Sequence, residues 1–587
     1  MTVTRLFDLI PQQIAKYPKT DALATKENGT WITYSSERIQ EIIDTVSIGF
    51  VKLGLKKDDK VAMISSNRPE WNFIDLGLQQ IGAVSVPIYP TLTVEDFRYI
   101  FNDAEVKMVF AYDEALYHKA TEAAQGSTTN PIIYSLKEVP GAKSWKEITA
   151  LAEGESASML DPYKANVFNH DLLTLIYTSG TTGKPKGVML THNNILSNVL
   201  ASIPLMPVDH NHRALSFLPL CHVYERMLCY LYLSQGVSIY YAESTDAVGE
   251  NLKEVKPHMF VTVPRLLEKV YDKIVAKGSE LSGIKKSLFY WALDLGLKYD
   301  MQTNQGFLYN IQLALANKII FNKWREALGR NVINIVSGGA ALQPRLARIF
   351  WAARIPIMEG YGLTETSPVI AVNRFNPDET RISTVGPLLP GVEVKIAEDG
   401  EILTRGPHIM KGYYKRPDLT AEAIDSEGWF HTGDIGQFVE NKFLKITDRK
   451  KEMFKTSGGK YIAPQLVENK FKESRYIEQI MVIGEGEKFP SAIVVPSFPD
   501  VKSWCELKGV SYTTNEEMVC NTQVIAKFQK EFDELNEGFA QYERVKKFIL
   551  MPRPFTIESG EMTPTLKLKR KIVMQNCIEK IEKMYAR

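Results

Sequence analysis

Residues Thr178 to Gly187 read TSGTTGKPKG and concentrate groups able to hold an anion. Gly180, Gly183 and Gly187 permit backbone conformations that other residues resist, and they let main-chain amides come close to a charged ligand. The hydroxyls of Thr178, Ser179, Thr181 and Thr182 can donate to phosphate oxygens. Lys184 and Lys186 add the positive charge that a triphosphate favours. The segment reads as a phosphate cradle. It is not the G-x-x-x-x-G-K-[ST] loop of P-loop ATPases: Pro185 stands where that loop needs a magnesium-binding hydroxyl, and Thr178 where it needs its first glycine. Nor is it a dinucleotide fingerprint.

Other segments carry weaker signals of their own. In Glu359–Thr366 (EGYGLTET), Gly360 and Gly362 flank Tyr361, which suits a tight turn presenting a flat aromatic surface. Asp434, in Gly428–Asp434 (GWFHTGD), reads alone as a turn or cap residue, and the run DRKK from Asp448 to Lys451 as a solvated face. His222, in Ser216–Arg226 (SFLPLCHVYER), reads alone as a structural histidine. Cys221 beside it has no nearby Cys–His–Asn set and is not expected to be a nucleophile.

Taken in order, these segments resemble the signatures of the adenylate-forming enzymes, which include acyl-CoA synthetases, luciferases and peptide-synthetase adenylation domains. TSGTTGKPKG is similar to the phosphate-loop signature of that family, and further matches run down almost the whole chain. The resemblance implies ATP as substrate and assigns Thr178, Ser179, Gly180, Thr181, Thr182, Gly183, Lys184 and Lys186 to its phosphates. It gives Gly338, Gly339 and Ala340 (in SGGAAL) to the wall of the adenine pocket, and Glu359, Gly360, Tyr361 and Gly362 to the purine. Thr364 falls near the α-phosphate, and Thr181 and Glu365 at Mg²⁺. Asp434 accepts the ribose hydroxyls, Arg449 is a second ribose contact, and Lys451 lies at the hinge. His222 lies where the family often carries an aromatic or histidine beside the substrate carboxylate. GEMTPTLKLKRK resembles the stretch bearing the mobile catalytic lysine, which is Lys567, with Lys569 as the close alternative. Ser457, Gly458 and Gly459 fall at the entry of the C-terminal domain, on the side of coenzyme A.

The helical segment Lys285–Arg330, with HVYER and EMTPTLKLKRK, is most similar to long-chain acyl-CoA synthetases. The expected activity is activation of a fatty acid to acyl-AMP and its transfer to coenzyme A. Two alternatives stand beside it: a fatty acyl-AMP ligase that loads a carrier protein, and a non-catalytic module that binds nucleotide or fatty acid. Retention of Thr181, Glu365, Asp434 and Lys567 argues against the latter, since a binder has no need of a transition-state lysine.

The elements that must position these groups are α/β. Ser36–Leu53 carries apolar residues at helical spacing, KVAMISS reads as a short buried strand, and VKMVFAYD as another. Strands alternating with helices imply parallel βαβ units in a large, multi-subdomain layered domain. From about Thr384 the texture shifts to short β pieces, with EDGE as a hairpin turn. A boundary near Asp448–Lys451 gives residues 1–449 an adenylation domain, and residues 450–587 a small α+β domain that the resemblance makes mobile. The aromatic and aliphatic stripes in LFYWALDLGLKYD and LYNIQLALANKIIF read as packing faces, with a membrane-surface role as the alternative.

At 587 residues the chain exceeds one ordinary core, and 44% hydrophobic with 24% charged residues is a globular balance. A net charge of +1 gives no support to a nucleic-acid partner. Five scattered cysteines without a C-x-x-C pair read as reduced thiols of a cytoplasmic protein. No secretory signal and no membrane-spanning run of roughly 20 apolar residues is legible. A peripheral contact at the inner face of a membrane and a homodimer both stay open.

Overall fold

Short β-branched runs supply the parallel strands. KVAMI (Lys60–Ile64), VSVP (Val84–Pro87) and VKMVFA (Val106–Ala111) are almost wholly buried, as strands covered on both faces must be. The computed structural model describes residues 3–178, 184–563 and 567–585. The chain divides into two compact units. The first comprises Met1–Ala340, Leu346–Val394 and Leu403–His431; the second comprises Ala341–Arg345, Lys395–Ile402 and Thr432–Arg587.

Two eight-stranded sheets build the first unit. In one, the order is Val369–Val372, Ile357–Gly362, Asn334–Ser337, Met259–Thr262, Arg213–Ser216, Ser238–Tyr241, Leu23–Glu27 and Thr30–Tyr34. Its inner strands are parallel, and antiparallel partners close both ends. In the other, the order is Gly412–Tyr413, Lys186–Thr191, Leu172–Thr178, Val84–Pro87, Lys60–Ile64, Val106–Ala111, Ile132–Ser135 and Lys143–Ser144. Leu172–Thr178 is thus an interior strand. It pairs in parallel with Val84–Pro87 on one side and antiparallel with Lys186–Thr191 on the other. Helices Ser36–Lys52, Pro69–Gln80 and Val223–Gln235 contribute to one continuous core. Val223–Gln235 is buried nearly all round, so its sequence shows little amphipathic contrast.

The second unit holds the antiparallel pairing of Asp434–Val439 with Phe443–Arg449. It also holds a three-stranded sheet of Ile477–Ile483, Ser491–Pro496 and Lys547–Leu550. Helices Pro464–Phe471 and Thr522–Leu535 bring Phe471, Phe528 and Phe532 into its core with Ile480 and Val494. This is the expected α+β texture. EDGE is a turn as read: Gly400 has φ +85°, and the Ala397 N–H donates to the Glu401 carbonyl.

The segment Lys285–Arg330 departs from expectation in one half. Helix Gly283–Leu297 packs Phe289, Ala292, Leu293 and Leu295 inward, as a packing stripe should. Helix Phe307–Ala316 and the wider turn Asn317–Phe321 after it bury only Ala316, Asn317 and Phe321, and leave five large apolar side chains exposed. Helical period reveals a stripe, but not what it faces. Among the described residues no helix is long and apolar enough to cross a membrane.

Candidate active site

The strands of the first unit deliver the motif residues at their C-terminal ends, where ligands of open α/β sheets bind. Thr178 ends its strand opposite Lys186, so the two ends of the segment expected to hold phosphates are antiparallel partners. Ser179, Gly180, Thr181, Thr182 and Gly183 lie outside the described residues. The paired ends are braced from helix Val94–Asp103: Tyr99 donates to the Pro185 carbonyl at 3.1 Å, and the Tyr177 hydroxyl to Asp103 at 2.5 Å. Lys184 lies over the Tyr99 ring at 5.2 Å.

Lys186 points elsewhere, over the Tyr413 ring at 4.4 Å. The Tyr413 hydroxyl donates to Glu365 Oε1 at 2.9 Å, and the Glu365 carbonyl accepts the Met410 N–H at 2.9 Å. Burial and this carboxylate push the phenol well above its usual range, so it stays a donor. Lys186, Tyr413 and Glu365, from three separate sequence segments, thus form one ammonium–phenol–carboxylate row. Tyr413 was not singled out in the sequence; its neighbourhood, MKGYYKRP, carries no motif signal beyond its aromatics.

EGYGLTET is not the tight turn its glycines suggest. Ile357–Gly362 is a strand, with Tyr361 half-buried opposite Ala371, and the turn follows at Thr364–Ser367. Thr364 is buried at the start of that turn. Glu359 is buried, and its carbonyl accepts the Asn373 N–H at 2.9 Å. A Cβ on Gly362 would lie 1.8 Å from the Pro368 carbonyl oxygen, whereas one on Gly360 would meet nothing closer than 3.6 Å.

In SGGAAL, Gly338 follows the strand Asn334–Ser337, its N–H bonded to the Thr262 carbonyl at 3.1 Å; Gly339 has φ +81°, and Ala340 is exposed. A Cβ on Gly338 would press on the Tyr224 ring at 3.2 Å, and the Tyr224 hydroxyl donates to the Val336 carbonyl at 3.2 Å. His222 caps helix Val223–Gln235, its Nδ1 accepting the Tyr224 N–H at 3.2 Å, which leaves the ring proton on Nε2. The SGGAAL segment and the His222 segment therefore meet through Tyr224. Asn67 fixes the loop before His222: its amide donates to Ser216 Oγ at 3.1 Å and the Leu218 carbonyl at 2.6 Å, and its carbonyl accepts the Leu220 N–H at 3.0 Å. Burial pushes the Cys221 thiol far up, as a structural cysteine requires.

Beneath these strand ends lies a buried polar network that no motif announced. Arg226 Nη2 bonds Asp75 Oδ1 at 2.6 Å and Ser85 at 2.9 Å, while Nη1 bonds Thr174 at 2.8 Å. Tyr230 completes it, accepting from Arg226 Nε at 3.0 Å and donating to Asp75. Thr174 belongs to the strand that ends at Thr178. Glu225, beside Ser216, is also fully buried, and burial raises its carboxyl to about 8.

In the second unit Asp434 lies within a strand rather than at a turn, and its cross-strand partner is Arg449, with Arg449 Nε 3.3 Å from Asp434 Oδ1. The TDRKK run is not a simple solvated face. Asp448 is buried, accepts the N–H groups of Arg449 at 2.6 Å and Gln465 at 3.1 Å, and is pushed up to about 7, chiefly by burial. Lys450 reaches Asp399 at 2.6 Å and Glu401 at 2.9 Å, while Lys451 is exposed. Ser457, Gly458 and Gly459 form the exposed tip joining Phe454–Lys455 to Tyr461–Ile462. The Lys567 N–H donates to Thr563 Oγ1 and its carbonyl accepts the Thr563 N–H. Lys569 flanks helix Arg570–Asn576, with its N–H on the Glu561 carbonyl. The Glu561 carboxylate accepts from Arg553, Ser559 and Asn576. Among the described residues no group of three or more His, Cys, Asp or Glu is placed to hold a metal by itself.

Residues 10–414 match the family model for AMP-binding enzyme, and residues 452–587 match that for AMP-binding enzyme C-terminal domain. The chain belongs to the AMP-binding enzymes. Asp434 and Arg449 of this AMP-binding enzyme fall between the two matched stretches. It is 32% identical to the long-chain-fatty-acid–CoA ligase FadD15 of Mycobacterium bovis, over 95% of this chain and 93% of that one. It is 31% identical to long-chain-fatty-acid–CoA ligase 1 of Homo sapiens, over 95% and 82% of the two chains. The adenylation domain of a carboxylate reductase from Mycobacterium chelonae shares the fold, with a TM-score of 0.76 at 21% identity over 100% of this AMP-binding enzyme and 92% of that chain.

Proposed function

We infer that the chain is an ATP-dependent ligase that activates a long-chain fatty acid and joins it to coenzyme A. The observation that carries this reading is near-full-length similarity to proteins named long-chain-fatty-acid–CoA ligase, in a chain that holds the family's motifs in order. In the first half-reaction the fatty carboxylate, already ionised at neutral pH, attacks the α-phosphorus of ATP. A P–O bond to pyrophosphate breaks, leaving acyl-AMP. In the second, the thiolate of coenzyme A attacks the acyl carbonyl, AMP departs, and the thiol proton goes to solvent.

Roles follow from the chemistry each group supports. Thr178, Ser179–Gly183, Lys184 and Lys186 hold the phosphates. The strand end Glu359–Gly362 and Gly338–Ala340 receive the base, and Thr364 serves the α-phosphate. Asp434 is a buried carboxylate suited to accept both ribose hydroxyls, with Arg449 beside it. His222 Nε2–H faces the acyl carboxylate. Lys567, whose N–H donates to Thr563 Oγ1, supplies the mobile ammonium during adenylation, whereas Lys569 is tied by its backbone to Glu561. Lys451 is the hinge between an adenylation domain, residues 1–449, and a mobile domain, residues 450–587, and Ser457–Gly459 approach coenzyme A. Mg²⁺ suits the donors present: one carboxylate, Glu365, which accepts from Tyr413, plus substrate phosphates, with Thr181 as a further oxygen. When bound it would neutralise charge developing on the phosphoryl oxygens.

The test is incubation of purified protein with ATP, Mg²⁺ and palmitate, with and without coenzyme A, resolved by mass spectrometry. Palmitoyl-CoA, AMP and pyrophosphate are expected. Acyl-AMP without thioester would instead assign a fatty acyl-AMP ligase, and neither product with any acid would overturn the enzymatic reading.

A further inference from the structure

The geometry points to Tyr413 as a positioning residue for metal–nucleotide binding: its hydroxyl holds Glu365 with one carboxylate oxygen open to Mg²⁺, and its ring holds the Lys186 ammonium apart from that carboxylate. The inference rests on the reading that Glu365 meets Mg²⁺ and Lys186 the phosphates. Tyr413 is only 6% exposed, yet its hydroxyl and its ring face are both in use. The hydroxyl donates to Glu365 Oε1 at 2.9 Å, and the Lys186 ammonium lies 4.4 Å from the ring centroid. Among the described residues no other group hydrogen-bonds the Glu365 carboxylate, and Lys186 makes no ion pair.

The backbone brings three remote segments to one phenol. Tyr413 pairs with Val188 across antiparallel strands. Lys186 stands two residues before Val188 on the same face of its strand, the diagonal position from which a long side chain reaches its neighbour. The Met410 N–H donates to the Glu365 carbonyl at 2.9 Å and ties the turn Thr364–Thr366 to the segment that carries Tyr413. Tyr413 itself is fixed by its N–H on Thr420 Oγ1 at 2.9 Å and by its carbonyl, which accepts the Arg416 N–H at 3.1 Å.

An ammonium and a carboxylate on the same side chain would ordinarily pair with each other. A direct pair would compete with both ligands, phosphate for the lysine and Mg²⁺ for the glutamate. The interposed phenol avoids this. It gives the carboxylate a neutral donor, which leaves the negative charge uncompensated for a metal. It gives the cation a ring face, which a phosphate oxygen can replace. Burial and the carboxylate push the phenol well above its usual range, so it stays the donor in this contact. Partners that orient a metal-binding carboxylate are typically worth about 10–100-fold in metal affinity. Phenylalanine at 413 keeps the ring for Lys186 and loses the hydrogen bond, whereas leucine loses both.

The test uses the full chain with Mn²⁺ in place of Mg²⁺ and α,β-methylene-ATP, which cannot release pyrophosphate, so binding is read without turnover. Bound Mn²⁺ is followed by electron paramagnetic resonance, and metal-free nucleotide binding by calorimetry in EDTA. Tyr413→Phe should weaken Mn²⁺ binding in the presence of the nucleotide by about tenfold or more and leave metal-free binding within about twofold. Tyr413→Leu should weaken metal-free binding as well, by about threefold or more, because Lys186 then pairs with Glu365. In a Glu365→Gln background, Tyr413→Phe should change Mn²⁺ affinity by less than about twofold, since its effect passes through that carboxylate. Wild-type Mn²⁺ affinity in Tyr413→Phe overturns the inference, and so does an undiminished effect of Tyr413→Phe in the Glu365→Gln background. Equal metal-free affinities for the phenylalanine and leucine variants overturn the part assigned to the ring. If Glu365→Gln itself binds Mn²⁺ like wild type, Glu365 is not the metal ligand, and the reading beneath the inference falls with it.

Discussion

Gly360 and Gly362 stand two residues apart in one motif, yet their neighbourhoods set opposite tolerances. Alanine at 362 must displace the Pro368 backbone, which lies 1.8 Å from the new Cβ, whereas alanine at 360 meets only ordinary contacts. Gly362→Ala should cost about 1–3 kcal/mol of stability and most of the adenylation rate, and Gly360→Ala much less of either, measured by thermal melts and pyrophosphate release. The sequence marked both as glycines of a turn; the close approach of the strand Val369–Val372 distinguishes them. Glu225 makes a second residue-scale case. Its folded carboxyl, raised to about 8, holds a proton that the unfolded chain releases near 4.5. Its contribution to stability is therefore fully present below about 4.5 and is lost as pH rises through about 8. Glu225→Gln, which mimics the protonated form, should remove that part of the decline while leaving activity at neutral pH within a few-fold. Melting curves from pH 5 to 9 are the check; an unchanged slope would show that the carboxyl is ionised throughout.

At the scale of elements, Arg226 ties helix Val223–Gln235 to helix Pro69–Gln80 through Asp75, to Val84–Pro87 through Ser85, and to Leu172–Thr178 through Thr174. These elements carry His222 and Thr178, so the network sets the spacing between the two. Removing one partner leaves an uncompensated buried charge. Asp75→Ala should destabilise the chain by about 3–5 kcal/mol, read as a shifted denaturant midpoint. A change below about 1 kcal/mol would mean that water reaches the site. The elements themselves were largely legible: Ser35 caps the helix starting at Ser36, and the strands at 60–64 and 106–111 stand where β-branched runs are. The network was not, because helix Val223–Gln235 is buried all round, and its period gives no sign that Arg226 points inward.

For the whole molecule, the proposed hinge at Lys451 lies among residues that are neither loose nor uniformly solvated. Asp448 is buried on the amides of Arg449 and Gln465, and Lys450 is paired with Asp399 and Glu401. Glu452 is held as well, its N–H on the Arg449 carbonyl and its carboxylate on the Gln465 amide, so the proposed hinge narrows to the exposed Lys451. Lys451→Pro, which restricts φ there, should shift the ratio of the two half-reaction rates by about tenfold or more with little change in melting temperature. Single-turnover adenylation compared with thioester formation from supplied acyl-AMP checks this, and an unchanged ratio would place the pivot elsewhere.

The sequence by itself determined the order of the motifs, the alternating α/β elements and the existence of an apolar stripe near residue 310. Those properties depend on residue type and local spacing, which the chain carries wherever it folds. Only the tertiary structure decided that Lys186 and Glu365 meet through Tyr413, that Arg226 is paired with Asp75, and that the stripe of Phe307 and Leu308 faces outward. Each of these joins segments distant in sequence or sets one side of a helix against what covers it, and no local periodicity encodes such a pairing.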